Sequence, residues 1–212
     1  TIVVNNATTT TIHRLSFEVS DSSDTAFELI NIIAKTSVAV DLTNVGAIEA
    51  SNSAAITTLY TATTFGLGNE TISVSDTTIN AKALNDINGY TTGVVNASSV
   101  HTITGTAAEE VITAYTANAA GTITGLGNEA VILNQAVIFA DNYNSSLNSL
   151  KNINAFTTGV IDVSAAVTFV GSAADLITAY KANAAGTITG LGNEGVAITD
   201  TSINASVLIT LD

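Results

Sequence analysis

The chain has no cysteine, proline, methionine or tryptophan, and it has few basic residues. Without cysteine it forms no disulfides, so the sequence does not identify the redox compartment. The five lysines and arginines are scattered and build no patch that could bind a phosphate backbone, so we expect no nucleic-acid partner. These residues are Arg14, Lys35, Lys82, Lys151 and Lys181.

Long apolar runs are also missing. The longest candidate, residues 27–34, is interrupted by Glu28 and Asn31 and is shorter than the roughly 18 residues that a membrane helix needs. We therefore expect no membrane span. A sequence that starts at Thr1 without methionine is expected to have been processed or excised, which fits export followed by removal of a leader. The expected location is extracellular or at the cell surface.

The residues that are present are mostly small, aliphatic or polar. Hydrophobic residues make up 46% of the chain but aromatic residues only 5%, which predicts a thin, regular core of Ala, Val, Ile and Leu. Eighteen acidic residues give a net charge of −13. This acidity has two interpretations: it keeps a surface rich in Thr, Asn and Ser in solution, or it binds cations.

Internal repeats are the strongest signal in the sequence. Gly-Leu-Gly-Asn-Glu occurs at residues 66–70, 125–129 and 190–194, and Thr-Thr-Gly-Val occurs at residues 91–94 and 157–160. Other segments recur in step with these. The pattern predicts a unit of roughly sixty residues, used three times.

Strand-like and helix-like segments alternate along the chain, which predicts an α/β protein with parallel pairing and right-handed crossovers. Because the units are short and similar, we expect a repeat solenoid of alternating short parallel strands and helices. The alternative is a mainly-β solenoid or a sandwich subunit with short helices. The expected strands are 16–21, 38–51, 93–105 and 122–134, and the expected helices are 22–35, 53–63, 77–89 and one starting at Thr106, capped by Thr106 with Glu109.

We expect one solenoid domain with five segments. Residues 1–15 are an N-terminal strand-like segment that could act as an assembly arm. The remaining segments are a divergent first repeat at 16–65, a second repeat region at 66–130, a variant helical insert at 131–158 and a last repeat at 159–212.

Three sequence motifs in this chain resemble repeats that occur in other proteins. Gly-Leu-Gly-Asn-Glu-Ala-Val at 125–131, Ser-Asp-Thr-Thr-Ile-Asn-Ala at 75–81 and Ile-Thr-Gly-Thr-Ala-Ala at 103–108 resemble tandem repeats of very large secreted or surface proteins of aquatic bacteria, including cyanobacteria. The resemblance covers residues 66–212 and implies an exported protein. It supplies no catalytic residue.

Gly-Leu-Gly-Asn-Glu lacks the Gly-x-Gly-x-x-Gly spacing of a phosphate-binding loop, so it predicts a tight structural corner that sets register. The register residues are Gly66, Gly68, Asn69, Gly125, Gly127, Asn128, Gly190, Gly192 and Asn193. The glutamates are expected to lie in register too, and oxygen ligands of this kind suit calcium. The calcium candidates are Glu70, Glu129 and Glu194, and no other cofactor is expected.

Catalytic patterns are weak. The histidines, His13 and His101, have no partner at metal-ligand or triad spacing, and Glu109 and Glu110 form the single adjacent acidic pair. We therefore expect no enzyme; a polysaccharide-acting enzyme is the third of three functional alternatives.

The leading hypothesis is an extracellular structural protein that associates with itself into a filament or surface array, because a solenoid exposes apolar core and unpaired backbone at its ends. The alternative is an adhesin-type module that binds glycan or calcium. The candidate assembly residues are Thr1, Ile2, Val3, Val4, Leu208 and Leu211.

Overall fold

The structure, a computed structural model, describes residues 2–5, 16–62, 64–140 and 150–211; for residues 2–5, Ser16, Phe17 and Phe139 it describes the backbone alone. Within these ranges the chain is α/β, as predicted, with seven helices and seventeen short strands. The helices are α1 Ala26–Ile33, α2 Ser53–Thr61, α3 Ala81–Tyr90, α4 Ala108–Ala120, α5 Leu150–Phe156, α6 Ala173–Ala184 and α7 Ala205–Leu211.

The strands are two to five residues long; the first three precede α1 and the others lie between the helices. They are β1 Ile2–Asn5, β2 Ser16–Val19, β3 Ser23–Thr25, β4 Val40–Asp41, β5 Ala47–Ser51, β6 Thr64–Phe65, β7 Thr71–Val74, β8 Thr78–Asn80, β9 Val95–Asn96, β10 Thr102–Gly105, β11 Ile123–Thr124, β12 Ala130–Leu133, β13 Val137–Phe139, β14 Ile161–Asp162, β15 Thr168–Gly171, β16 Ile188–Thr189 and β17 Gly195–Ile198.

The chain divides into two compact units. The first is drawn from Thr1–Asp76, Asp86–Ser99 and Gly121–Gly125, and the second from Thr77–Asn85, Val100–Ala120 and Leu126–Asp212. The first unit holds two sheets, with strand orders β1-β2-β4-β6 and β11-β9-β7-β5-β3. The second holds the sheets β16-β14-β12-β10-β8 and β13-β15-β17.

Neighbouring strands in these sheets pair in parallel, as predicted, with the exception of β1 and β2. Those two are antiparallel, with Ile2 opposite Val19 and Asn5 opposite Ser16. The N-terminal strand is therefore paired with its own chain.

Two- and three-strand connections alternate between successive helices from α1 to α6. Among the residues that the structure describes, two strands separate α1 from α2, three separate α2 from α3, and two separate α3 from α4. Three then separate α4 from α5, and two separate α5 from α6. The first two Gly-Leu-Gly-Asn-Glu segments lie in the three-strand connections. The third lies between α6 and α7, where the structure has two strands.

The first amide of several helices is satisfied from the following connection. The Ala26 amide donates to the Ser51 hydroxyl at 2.8 Å, and the Ala173 amide donates to the Asp200 carboxylate at 2.7 Å. The amides of Ser53 and Ala108 donate in the same way to Asp76 and Gln135. Because the first four amides of a helix have no partner within it, these side chains stabilise each helix start.

The core contains small and aliphatic side chains, as the composition predicted. Each strand from β7 to β15 whose side chains are all described contributes at least one buried residue to the core. Large buried side chains include Leu42, Ile72, Ile103, Tyr115 and Phe169.

Several predicted elements were wrong in detail. The expected strands 38–51, 93–105 and 122–134 are each two shorter strands separated by a turn, and the expected helices 22–35 and 77–89 each begin with a strand. The segment 131–158 is not helical throughout, because Val137–Phe139 is a strand. At α4 the capping carboxylate is Glu110, not Glu109: it accepts hydrogen bonds from the Thr106 amide at 3.2 Å and the Thr106 hydroxyl at 3.0 Å.

Candidate functional site: the Gly-Leu-Gly-Asn-Glu turns

Each Gly-Leu-Gly-Asn-Glu segment forms a turn between two strands, which we number one to three by chain order. The first glycine of each turn has a positive φ, between 90° and 95°. At Gly190 an added Cβ would lie 2.4 Å from the Ser164 amide nitrogen, and at Gly66 it would lie 2.4 Å from that of Thr43. Glycine is required here for its backbone conformation and for this close approach.

The glutamate of each turn folds back onto the turn's own backbone. Glu70 accepts hydrogen bonds from the amides of Gly68 at 2.8 Å and Asn69 at 3.1 Å. Glu194 accepts the same pair from Gly192 and Asn193, and Glu129 accepts from Gly127. The carboxylate therefore closes the turn.

A tyrosine from the preceding helix binds this carboxylate in the second and third turns. The Tyr115 hydroxyl donates to Glu129 at 3.0 Å, and the Tyr180 hydroxyl donates to Glu194. Glu129 is 1% exposed and Tyr115 is 1% exposed, so both groups depend on each other for hydrogen bonds. This pairing was not predicted, although both tyrosines lie at the same distance before their glutamates in the sequence.

Burial shifts the pKa values of the side chains at these turns. It raises the pKa of Tyr115 above its usual value; the Thr157 side chain opposes this rise and the Glu129 carboxylate adds to it. Burial also raises the pKa of Tyr180, assisted by Glu194. Burial alone would raise the pKa of Glu194, but hydrogen bonds from Tyr180 and from the turn amides together lower it below its usual value.

The first and second turns are each covered by a Thr-Thr-Gly-Val segment. The hydroxyl of Thr91 donates to the Glu70 carbonyl at 2.6 Å, and that of Thr157 donates to the Glu129 carbonyl at 2.7 Å. Gly159 packs so closely that an added Cβ would lie 2.1 Å from the Glu129 carbonyl oxygen. We call each of these segments, with the aromatic residue before it, a lid; the two lids are residues 90–94 and 156–160.

The aromatic residue of each lid stacks on a tyrosine of an earlier helix. Tyr90 stacks on Tyr60 with ring centroids 4.8 Å apart, and Phe156 stacks on Tyr115 at 5.5 Å. Thr-Thr-Gly-Val recurs visibly in the sequence, but no role was predicted for it. Its matching position after each turn was the signal that could have revealed one.

The expected register of the glutamates was wrong. Strand pairing places Val131 opposite Ile161 and Gly195 opposite Thr168, so the residues next to Glu129 and Glu194 belong to different sheets. The position opposite Glu129 is Gly159, not another carboxylate. Asn69, Asn128 and Asn193 have exposed side chains.

The carboxylates of all three calcium candidates thus accept hydrogen bonds from turn amides, and those of Glu129 and Glu194 also accept from tyrosines. No group of three or more His, Cys, Asp or Glu residues that could hold a metal ion occurs within the ranges described above. Calcium binding by Glu70, Glu129 or Glu194 stays a prediction.

The remaining candidates lie elsewhere. Ile2, Val3 and Val4 are in β1, whereas Thr1 and His13 are outside the described residues. Leu208 and Leu211 are in α7, where they line a groove of about 580 Å³ with Val196, Ile198 and Ile209. His101 is exposed. None of the helices described is long and apolar enough to cross a membrane.

The chain was compared with known proteins at three levels. No protein-family model matches it, and no curated protein or solved structure is significantly similar to it.

The raised pKa values of Tyr115 and Tyr180 predict a distinctive alkaline titration. We expect Tyr115 and Tyr180 to remain protonated while ordinary tyrosines ionise, between about pH 9 and about pH 11. The double variant Tyr115→Phe, Tyr180→Phe should therefore show the same rise in tyrosinate absorbance as the unmodified protein over this range. A rise that is smaller by two of the five tyrosines would contradict the prediction.

Proposed function

We propose that the protein is a structural repeat protein with solenoid architecture, located outside the cell, that associates with itself into a filament or array. The support for a solenoid is the parallel pairing of strands from successive connections, each followed by one helix. The extracellular location rests on the composition and on the resemblance to exported repeats.

The observation that carries the association is the apolar face formed by β17 and α7. Leu208 is 49% exposed, Ile209 is 75% exposed, and Val196, in the edge strand, is 43% exposed. An edge strand beside exposed aliphatic side chains is a template for pairing with another chain. β1 is also an edge strand, but the exposed aliphatic side chains listed above belong to β17 and α7, so we place association at the β17–α7 face.

The association can be tested by sedimentation velocity over a concentration series. We expect the unmodified chain to form species larger than 21.5 kDa as concentration rises. Ile209→Asp, which puts a charge into the face, should remain monomeric because burying an unpaired charge is costly.

The matched control is Phe27→Asp, which adds the same charge at a residue of α1 that is 66% exposed and lies outside the face. It should associate like the unmodified chain. A single 21.5 kDa species at every concentration would rule out self-association.

A further inference from the structure

The third turn is closed by its glutamate as the first two are, and it has the tyrosine contact of the second turn. Gly192 and Asn193 donate their amides to Glu194, Tyr180 donates its hydroxyl, and Gly190 has φ 92°. Its sequence, Gly-Leu-Gly-Asn-Glu, is identical to theirs.

The third turn nevertheless has no lid among the residues that the structure describes. A Cβ added at Gly192 would meet no atom within 4 Å, whereas at Gly68 and Gly127 it would meet the carbonyl oxygen of the lid's aromatic residue. Within the same ranges, no backbone amide donates to the carbonyl of Gly192, although the amides of Thr92 and Thr158 donate to the corresponding glycines.

The strand after the third turn shows the same difference. Val131 and Ile72, which follow the second and first turns, are fully buried, but the equivalent Val196 is 43% exposed. In the second turn the Val131 amide donates to the carbonyl of the lid residue Val160 at 2.9 Å. The surface at Val196 is thus the one that a lid covers elsewhere in the chain.

A second repeated segment also differs between a copy that has a following half-repeat beside it and a copy that does not. Thr-Thr-Ile-Asn at 77–80 contains β8, which pairs with β10, and its Ile79 is 2% exposed. The matching Thr-Ser-Ile-Asn at 201–204 is not a strand, and its Ile203 is 37% exposed. Nearly the same sequence therefore becomes a strand where a following half-repeat pairs with it.

We infer that the third turn is a docking site for a further repeat unit that begins with an aromatic residue followed by Thr-Thr-Gly-Val. This goes beyond the proposed self-association, because both lids of the chain are already engaged on its own turns. The incoming threonine hydroxyl donates to the Glu194 carbonyl, its glycine allows close approach, and its aromatic ring stacks on Tyr180. The following strand adds to the edge of β17 in parallel.

The inference is tested with a fluorescein-labelled peptide that spans residues 154–169 of this chain and thus contains the second lid. Fluorescence anisotropy measures its binding to the intact protein. We expect saturable binding, and about tenfold or greater weakening by Gly159→Val or Thr157→Val in the peptide, because the first introduces a clash and the second removes a hydrogen bond. Val196→Asp in the protein should abolish binding.

The outcomes separate this inference from the proposed function. Equal binding of the three peptides, or no binding of the unmodified one, would overturn the docking site even if the protein self-associates. Specific binding of the unmodified peptide to a protein that stays monomeric would uphold the docking site while the self-association proposal fails. If the chain dimerises through the β17–α7 face and the peptide does not compete, the occupant is a second copy and the inference is wrong.

Discussion

Gly159→Ala is expected to destabilise the protein by about 3 kcal/mol, the upper part of the range for overpacking. The added Cβ would lie 2.1 Å from the Glu129 carbonyl oxygen and 2.4 Å from its carbon. These are backbone atoms, which cannot turn away as a flexible side chain could. The second lid must therefore lift, and the Thr157–Glu129 hydrogen bond is lost with it. Urea unfolding monitored by circular dichroism measures the change.

Gly89→Ala is the matched control for this prediction. Gly89 lies in α3, and no atom occurs within 4 Å of an added Cβ among the residues described. The substitution should stabilise the protein by about 0.5–1 kcal/mol, because alanine restricts the unfolded chain and favours a helix. The two variants make the same chemical change with opposite expected signs. Equal stability of Gly159→Ala and the unmodified protein would refute the tight lid contact.

Glu129→Ala is expected to cost about 3 kcal/mol or more in free energy of unfolding. It leaves the Gly127 amide and the Tyr115 hydroxyl without their acceptor in a buried site, and each such group costs about 1–3 kcal/mol. Glu49→Ala removes the same charge from an exposed position of β5 and should change stability by less than about 0.5 kcal/mol.

A double-mutant cycle with Tyr115→Phe distinguishes a hydrogen bond from simple loss of packing. Tyr115→Phe removes the phenol hydroxyl and should cost about 1 kcal/mol alone. In the Glu129→Ala background it should cost less, because the hydroxyl no longer has its acceptor. Strictly additive costs would show that the two side chains are not coupled.

The sequence predicted those parts of the fold that depend on local pattern and on repetition. Alternating strands and helices, parallel pairing and turns at Gly-Leu-Gly-Asn-Glu follow from residue type and spacing. The two-residue strands were not predicted. Val95–Asn96 is too short to have a pattern of its own, and it is a strand because it pairs with β7 and β11. Pairing across the chain also decides why 78–80 is a strand and 202–204 is not.

The Gly-Leu-Gly-Asn-Glu segments were predicted to be turns, but the groups that surround their glutamates were not predicted. Three glutamates at equal repeat positions suggested a row of carboxylates, yet alternation of two- and three-strand connections puts Gly159 opposite Glu129. All three carboxylates bond to their own turn, but how deeply each is buried depends on what covers the turn: Glu70 and Glu129 are buried, whereas Glu194 is partly exposed. The lids that cover Glu70 and Glu129 come from residues more than twenty positions later, beyond the reach of a local pattern.

The capping of α1, α2, α4 and α6 by later side chains restricts how such a gene could be recombined. The start of α6 is completed by Asp200, which lies 27 positions later in the chain, and the starts of α1, α2 and α4 depend on residues at similar distances. A crossover that joins two repeats at equivalent positions leaves each such helix start with a capping side chain at the right distance along the chain. A crossover at non-equivalent positions leaves one helix start without an acceptor for its first amide. We therefore expect duplications to keep the spacing between each helix start and its later capping side chain even where the sequences of the copies differ.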